Sequence, residues 1–306
     1  MKRIIKRFLQ WYRSGSAPAV MLFASPRGGS TWVTELIASQ PGFWPFSEPL
    51  NVRSKWVQEQ LGVDSHADLY SAAALPKVEH YYERLLSGRF HELKLMPGKP
   101  FYKPFTNRIV VKENQGLLDR MSWFEATFGV QVIHLLRHPI PVALSREVFP
   151  LLDGFSDCAL RKQFTAEQLE LADALIDLGS HLERGVLAWC LHHGPALREN
   201  AESWLTLTYE ETVLQPDRVI ELLATRLNLP SRARMGRQCS RPSRVARKSN
   251  IQTQQLLASG KNREQLIQKW QKQVSESDLV SVQRILDIFA IDLYSANQVL
   301  PASLRT

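Results

Sequence analysis

Short apolar runs alternate with amphipathic stretches along the chain. Ala19-Val-Met-Leu-Phe-Ala24, bounded by Pro18 and by Ser25-Pro26, has the length and flanks of a fully buried strand. Arg108-Ile-Val-Val-Lys112 and Val130-Gln-Val-Ile-His-Leu-Leu136 predict a second and a third strand, and Trp204-Leu-Thr-Leu-Thr208 a fourth. Helical spacing fills the intervals. One helix runs from a cap at Ser30 or Thr31 to Ser39, before Pro41-Gly42 stops it. Others are expected over residues 117–128, from Pro141 to Val148, over 165–184, over 185–200 and after Pro216. Two more, 262–274 and 277–289, close the chain, the second capped by Ser275 or Ser277. Strands alternating with helices imply an α/β fold with a parallel β-sheet flanked by helices.

Residues 51–103, with the stretch Met96-Pro-Gly-Lys-Pro100, predict an irregular insertion, and the basic stretch 232–248 a surface loop. At the N-terminus, Ile4, Ile5, Phe8, Leu9 and Tyr12 share one helical face while Lys and Arg occupy the other. That pattern suits a helix on its own domain or one lying on a membrane surface. The organisation expected is a basic amphipathic segment, 1–16, followed by a single domain, 17–306.

With 306 residues and 44% hydrophobic content the chain can bury a large core, and a net charge of +8 suits anionic partners. Three widely spaced cysteines, Cys158, Cys190 and Cys239, form no CxxC pair, so neither a disulfide framework nor a zinc site is indicated. A reducing cytoplasm is the expected compartment. The apolar runs fall short of the roughly 20 residues that cross a bilayer.

Candidate chemistry lies at the end of the first strand, in Ser25-Pro-Arg-Gly-Gly-Ser-Thr-Trp32. A turn there directs backbone N–H groups toward one point, and the following helix adds the positive end of its dipole, so a phosphate is the natural occupant. Gly28 and Gly29 allow close approach, Ser30 and Thr31 add hydroxyls, and Arg27 adds charge. The loop departs from the triphosphate pattern GxxxxGK[ST]: Ala24 stands where the first glycine belongs, and no lysine separates Gly29 from Ser30. A reaction that needs no metal is therefore favoured over an ATP-dependent kinase. A second element, Leu136-Arg-His-Pro-Ile-Pro-Val-Ala-Leu-Ser-Arg146, places Arg137 at a strand end and Ser145 eight positions later, two turns into a helix. Both could reach a further phosphate, or Arg137 could pair with a surface acid.

Together the two elements resemble the cofactor sites of sulfotransferases that use 3′-phosphoadenosine-5′-phosphosulfate (PAPS). That resemblance implies a P-loop NTPase-like three-layer sandwich, with Arg27, Gly28, Gly29, Ser30, Thr31 and Trp32 at the 5′-phosphosulfate and Arg137 with Ser145 at the 3′-phosphate. A serine is commoner in the family where Gly28 stands. Phe46-Ser-Glu-Pro-Leu50 looks like the family's acidic segment after the first helix, and Leu207-Thr-Tyr-Glu210 like its later strand and turn. The implied activity is sulfuryl transfer to a hydroxyl, with 3′,5′-adenosine bisphosphate (PAP) as product. Glu48 is the leading candidate for the base and Glu113 the second. Lys112 is either a sulfonate contact or a solvated strand-end charge. His134, inside an apolar strand, reads as a core residue. Arg247 and Lys248 lie where relatives close a loop over the nucleotide, although Ser249 replaces the glycine of the Arg-Lys-Gly pattern. The Ser145-Arg146 pair resembles carbohydrate-directed members, so a glycan or glycolipid is the expected acceptor. Nucleic acid is not expected, because aromatics are not interleaved with the basic stretch. A small-molecule kinase and a non-catalytic module binding anionic polymer or membrane are the other classes considered.

Overall fold

The structure is a computed structural model that describes residues 10–90, 97–114, 116–239 and 263–304. Its centre is a five-stranded, all-parallel sheet. The strands are β2 (Val20–Ala24), β3 (Phe43–Ser47), β5 (Arg108–Glu113), β6 (Gln131–Leu136) and β7 (Leu205–Thr208), in the order β3-β5-β2-β6-β7. Two short strands, β1 (Trp11–Tyr12) and β4 (Phe105–Thr106), pair separately.

The pleat of the central strands explains their apolar sequences. Val20, Leu22 and Ala24 face one core, with Val110, Ile133 and Leu135, while Met21 and Phe23 face another, with Ile109, Val111 and Val132. A strand buried on both faces reads as a continuous hydrophobic run. The first core is covered by α1 (Ser30–Ala38), through Val33, Leu36 and Ile37, by α9 (Pro216–Arg226) and by Met235 of α10 (Arg232–Cys239). The second is covered by α2 (Lys55–Leu61), α3 (Leu75–Leu86), α4 (Met121–Phe128), α5 (Pro139–Leu144), α6 (Ala166–Leu178) and α7 (His181–Glu199), with a later helix (Glu276–Ile288). Helices on both faces of a parallel sheet make the three-layer α/β sandwich expected from the sequence. No helix of the described residues is long and apolar enough to cross a membrane.

Several local expectations change. Phe43–Ser47 is an edge strand, tolerated there because Pro45 has no N–H to give an inner ladder. The first helix is capped by Gly29 at φ 90°, with Ser30 and Thr31 inside it. α5 ends at Leu144, so Ser145 follows it as a C-cap rather than lying two turns inside. The break expected at residues 184–185 falls at Gly179-Ser180, where Ser180 and Glu183 form a capping box. Residues 232–239 of the expected basic loop are helical, and the last helix starts from Ser275. Tyr12, expected on the amphipathic helix, pairs in β1 instead; residues 1–9 lie outside the described residues.

Candidate functional site

The connection from β2 runs over one face of the sheet through α1, and that from β5 over the other through α4. The carboxyl ends of these two strands therefore form the crevice in which open α/β sheets bind ligands. The loop at that crevice starts as a β-turn: Gly28 N–H donates to Ser25 O at 3.0 Å, with Pro26 and Arg27 in the central positions. Arg27 has φ 69°, a value that turns usually give to glycine or asparagine. Arg137 holds the strained residue, its Nη1 donating to Arg27 O at 2.7 Å. A Cβ on Gly28 would stand 2.9 Å from Ser25 O, and one on Gly29 2.5 Å from Tyr209 Cδ2. Both glycines are thus required by close packing. Tyr209 opens α8 (Tyr209–Leu214), and its ring also carries the Arg137 guanidinium at 4.2 Å. Arg137 retains a buried Nε with no partner among the described residues.

Beneath the turn, Ser25 Oγ meets His193 Nε2 at 2.7 Å, and His193 Nδ1 meets His134 Nε2 at 2.9 Å. Burial lowers the His134 pKa to about 3 and holds that of His193 well below its usual value, with His134 and His192 adding to the latter. The pair is neutral near pH 7, so it anchors the loop by hydrogen bonds without placing charge under it. His134 is the core residue expected.

The other half of the site comes from β5 and the end of β3. Lys112 Nζ lies 2.7 Å from Glu48 Oε1 and 3.4 Å from Thr31 Oγ1. Asn114 Nδ2 donates to Ser30 Oγ at 3.1 Å and to Glu48 Oε1 at 3.4 Å. Glu48 has φ 53°, and its N–H continues the ladder to Lys112 O at 2.7 Å. Strained non-glycine residues held by their surroundings cluster at functional sites. The neighbouring pocket, ≈ 420 Å³, extends from Thr31, Glu48 and Lys112 to Phe46, Trp56 and Tyr81.

The structure therefore brings Arg27, Gly28, Gly29 and Arg137 together, and separately Ser30, Thr31, Glu48 and Lys112, on the two sides of the start of α1. Ser145 is exposed, its Oγ donating to Val142 O at 2.9 Å. Trp32 is half-buried and packs against the apolar core under α1. Glu113 turns away from the crevice; it is fully buried and accepts from Tyr82 OH at 3.0 Å and Leu50 N–H at 3.3 Å. Arg247 and Lys248 lie outside the described residues. Asn114 and the Ser25–His193–His134 chain were missed in the sequence, and Tyr209 was read only as part of the strand and turn Leu207–Glu210. Asn114 carried a signal, since strand alternation puts it on the same side as Lys112.

The fold is similar to solved sulfotransferase domains. One, from the curacin biosynthetic pathway, is 17% identical and aligns over 90% of this chain and 99% of its own with a TM-score of 0.47. Another, from the olefin synthase of Synechococcus PCC 7002, is 15% identical over 92% of this chain and 98% of its own, with a TM-score of 0.47. The mouse sulfotransferase SULT7A1, solved with PAP, is 12% identical over 89% and 84%, with a TM-score of 0.44. No family model and no curated protein matches the chain.

Proposed function

We propose that the chain transfers a sulfuryl group from PAPS to a hydroxyl acceptor and releases PAP. The observation that carries this proposal is the placement of the cations around the loop. The lysine that a triphosphate loop holds internally is missing, and Lys112 reaches the start of α1 from the neighbouring strand instead, paired with Glu48 at 2.7 Å. Arg137, whose buried Nε has no partner among the described residues, stands on the other side of the turn. An orphaned guanidinium N–H beside a glycine-lined turn fits a nucleotide that bears phosphate at more than one position.

The nucleotide, when bound, supplies an activated sulfuryl group and a phosphate leaving group. The loop N–H groups and Arg27 would stabilise the negative charge that grows on the leaving oxygen. Arg137 and Ser145 would hold the 3′-phosphate. Lys112 would neutralise the sulfonate, and its present partner Glu48 would then be free to accept the proton of the attacking hydroxyl. Asn114 keeps that carboxylate oriented through Oε1. A carbohydrate or glycolipid hydroxyl is the proposed acceptor, supported by the aromatic walls Trp56 and Tyr81, on which sugar rings stack.

Calorimetry with PAP and with ATP and magnesium tests the proposal directly. PAP is expected to bind more tightly; tighter binding of ATP would reject sulfuryl transfer in favour of phosphoryl transfer.

A further inference from the structure

Glu48, the proposed proton acceptor, sits at φ 53°, a left-handed backbone that is strained for any residue with a Cβ. That placement has to be held by its surroundings. Glu48 N–H donates to Lys112 O at 2.7 Å, and Glu48 O accepts from Asn51 N–H at 3.1 Å. The next two anchors are side chains. Leu50 N–H donates to Glu113 Oε2 at 3.3 Å, and Pro49 O accepts from Tyr81 OH at 3.0 Å. Glu113 Oε2 also accepts from Tyr82 OH at 3.0 Å, and Tyr82 is the neighbour of Tyr81 on α3. Glu113 and Tyr82 are fully buried, and Tyr81 is buried as well.

A carboxylate withdrawn from water is costly unless it is hydrogen-bonded, so Glu113 is an expensive acceptor for one backbone amide. Its place on β5 explains the expense. Consecutive side chains of a strand point to opposite faces. Lys112 meets the Glu48 carboxylate at 2.7 Å on one face, while Glu113 grips the backbone two residues beyond Glu48 from the other. Tyr81 adds a second grip on Pro49, and its ring lines the acceptor pocket together with Glu48. Released from both, Glu48 would relax toward the negative φ that L-residues prefer, and its carboxylate would swing away from Lys112. We propose that Glu113 and Tyr81 are positioning residues for the proton acceptor: they fix the Pro49-Leu50 backbone and so aim Glu48 into the pocket. The inference rests on the reading of Glu48 as the base.

Release of PAP from PAPS by the full chain is measured at saturating nucleotide, with octyl glucoside as the acceptor and with water alone. Glu113→Leu and Tyr81→Phe should each lower kcat by about tenfold to 10²-fold, the loss that a misplacement of about 1 Å causes. PAP affinity, read by calorimetry, should stay that of the wild type, because the phosphate loop is untouched. Glu113→Gln should keep most of the rate, since its amide oxygen accepts from the same two donors. In a Glu48→Gln background neither substitution should slow turnover further, because residues that act through Glu48 then have nothing left to position. A purely structural role would leave the kcat of the folded protein unchanged. Wild-type kcat in Tyr81→Phe, losses that multiply with that of Glu48→Gln, or a loss in Glu113→Gln as large as in Glu113→Leu would each overturn the positioning role. If Glu113→Leu does not fold, Tyr81→Phe, which removes a single hydroxyl, carries the same comparison. Failure of the underlying reading looks different: undiminished turnover in Glu48→Gln removes the base and this inference with it, and absence of PAP release by the wild type rejects sulfuryl transfer itself.

Discussion

A single methyl group at Gly29 tests whether the turn at the end of β2 holds phosphate. Gly29 has φ 90°, outside the range that L-residues occupy easily, and Gly29→Ala would carry strain of about 1–2 kcal/mol. The new Cβ would lie 2.5 Å from Tyr209 Cδ2. Carbon atoms rest about 3.5–4 Å apart, so the ring or the turn must retreat by about 1 Å. The same ring supports the Arg137 guanidinium at 4.2 Å, a contact worth about 0.5–1 kcal/mol. The expected loss of stability is therefore about 1.5–3 kcal/mol, read as a lower urea midpoint with an unchanged slope. PAP affinity, measured by calorimetry on the folded variant, should fall by at least about tenfold, because the loop N–H groups and Arg137 both shift. A stability loss of this size with PAP affinity unchanged would refute the assignment of the phosphate to this turn. Unchanged stability would refute the close packing of Gly29 against the Tyr209 ring.

Glu48→Gln should lower turnover by about 10²–10⁴ while PAP binding persists, as expected for loss of a general base; normal turnover in a single-turnover assay would remove Glu48 from that role. Ser145→Ala should weaken PAP binding by about 1–2 kcal/mol if the hydroxyl leaves Val142 O for the 3′-phosphate, and unchanged affinity would exclude Ser145 from the site. Burial lowers the pKa values of His134 and His192 to about 3, so the unfolded chain binds more protons than the folded one once the pH falls below the ordinary histidine value. Stability is then full above about pH 7 and declines on acidification, by about 1 kcal/mol for each of the two residues between pH 7 and 5.5, with His193 adding in the same direction. Urea titrations at the two pH values check this, and a stability that rises toward pH 5.5 would contradict it.

The elements legible in the sequence are those whose burial is symmetric. Strands β2, β5 and β6 are apolar on both faces because each face meets a helical layer, so their runs stand out. β3 was hidden because Pro45 argues against an inner strand, whereas at the edge its missing N–H is harmless. The start of α7 was misplaced for a related reason. Gly185 reads as a helix breaker, yet an added Cβ there would stand 2.5 Å from Ala143 Cβ and 2.8 Å from Phe149 Cζ. That glycine exists to let α5 and α7 approach, a tertiary requirement that local propensity opposes.

The site divides along the same line. The loop was legible because its chemistry is contiguous, and the choice between Glu48 and Glu113 was half-legible. Alternation along β5 sends Lys112 and Asn114 to one side and Glu113 to the other, but the side that carries α1 follows from the register Ser47↔Lys112 and Leu22↔Lys112. That register places Lys112 beside Glu48 and sends Glu113 to Tyr82. Ser25 and His193 stand 168 residues apart, beyond the reach of any spacing rule.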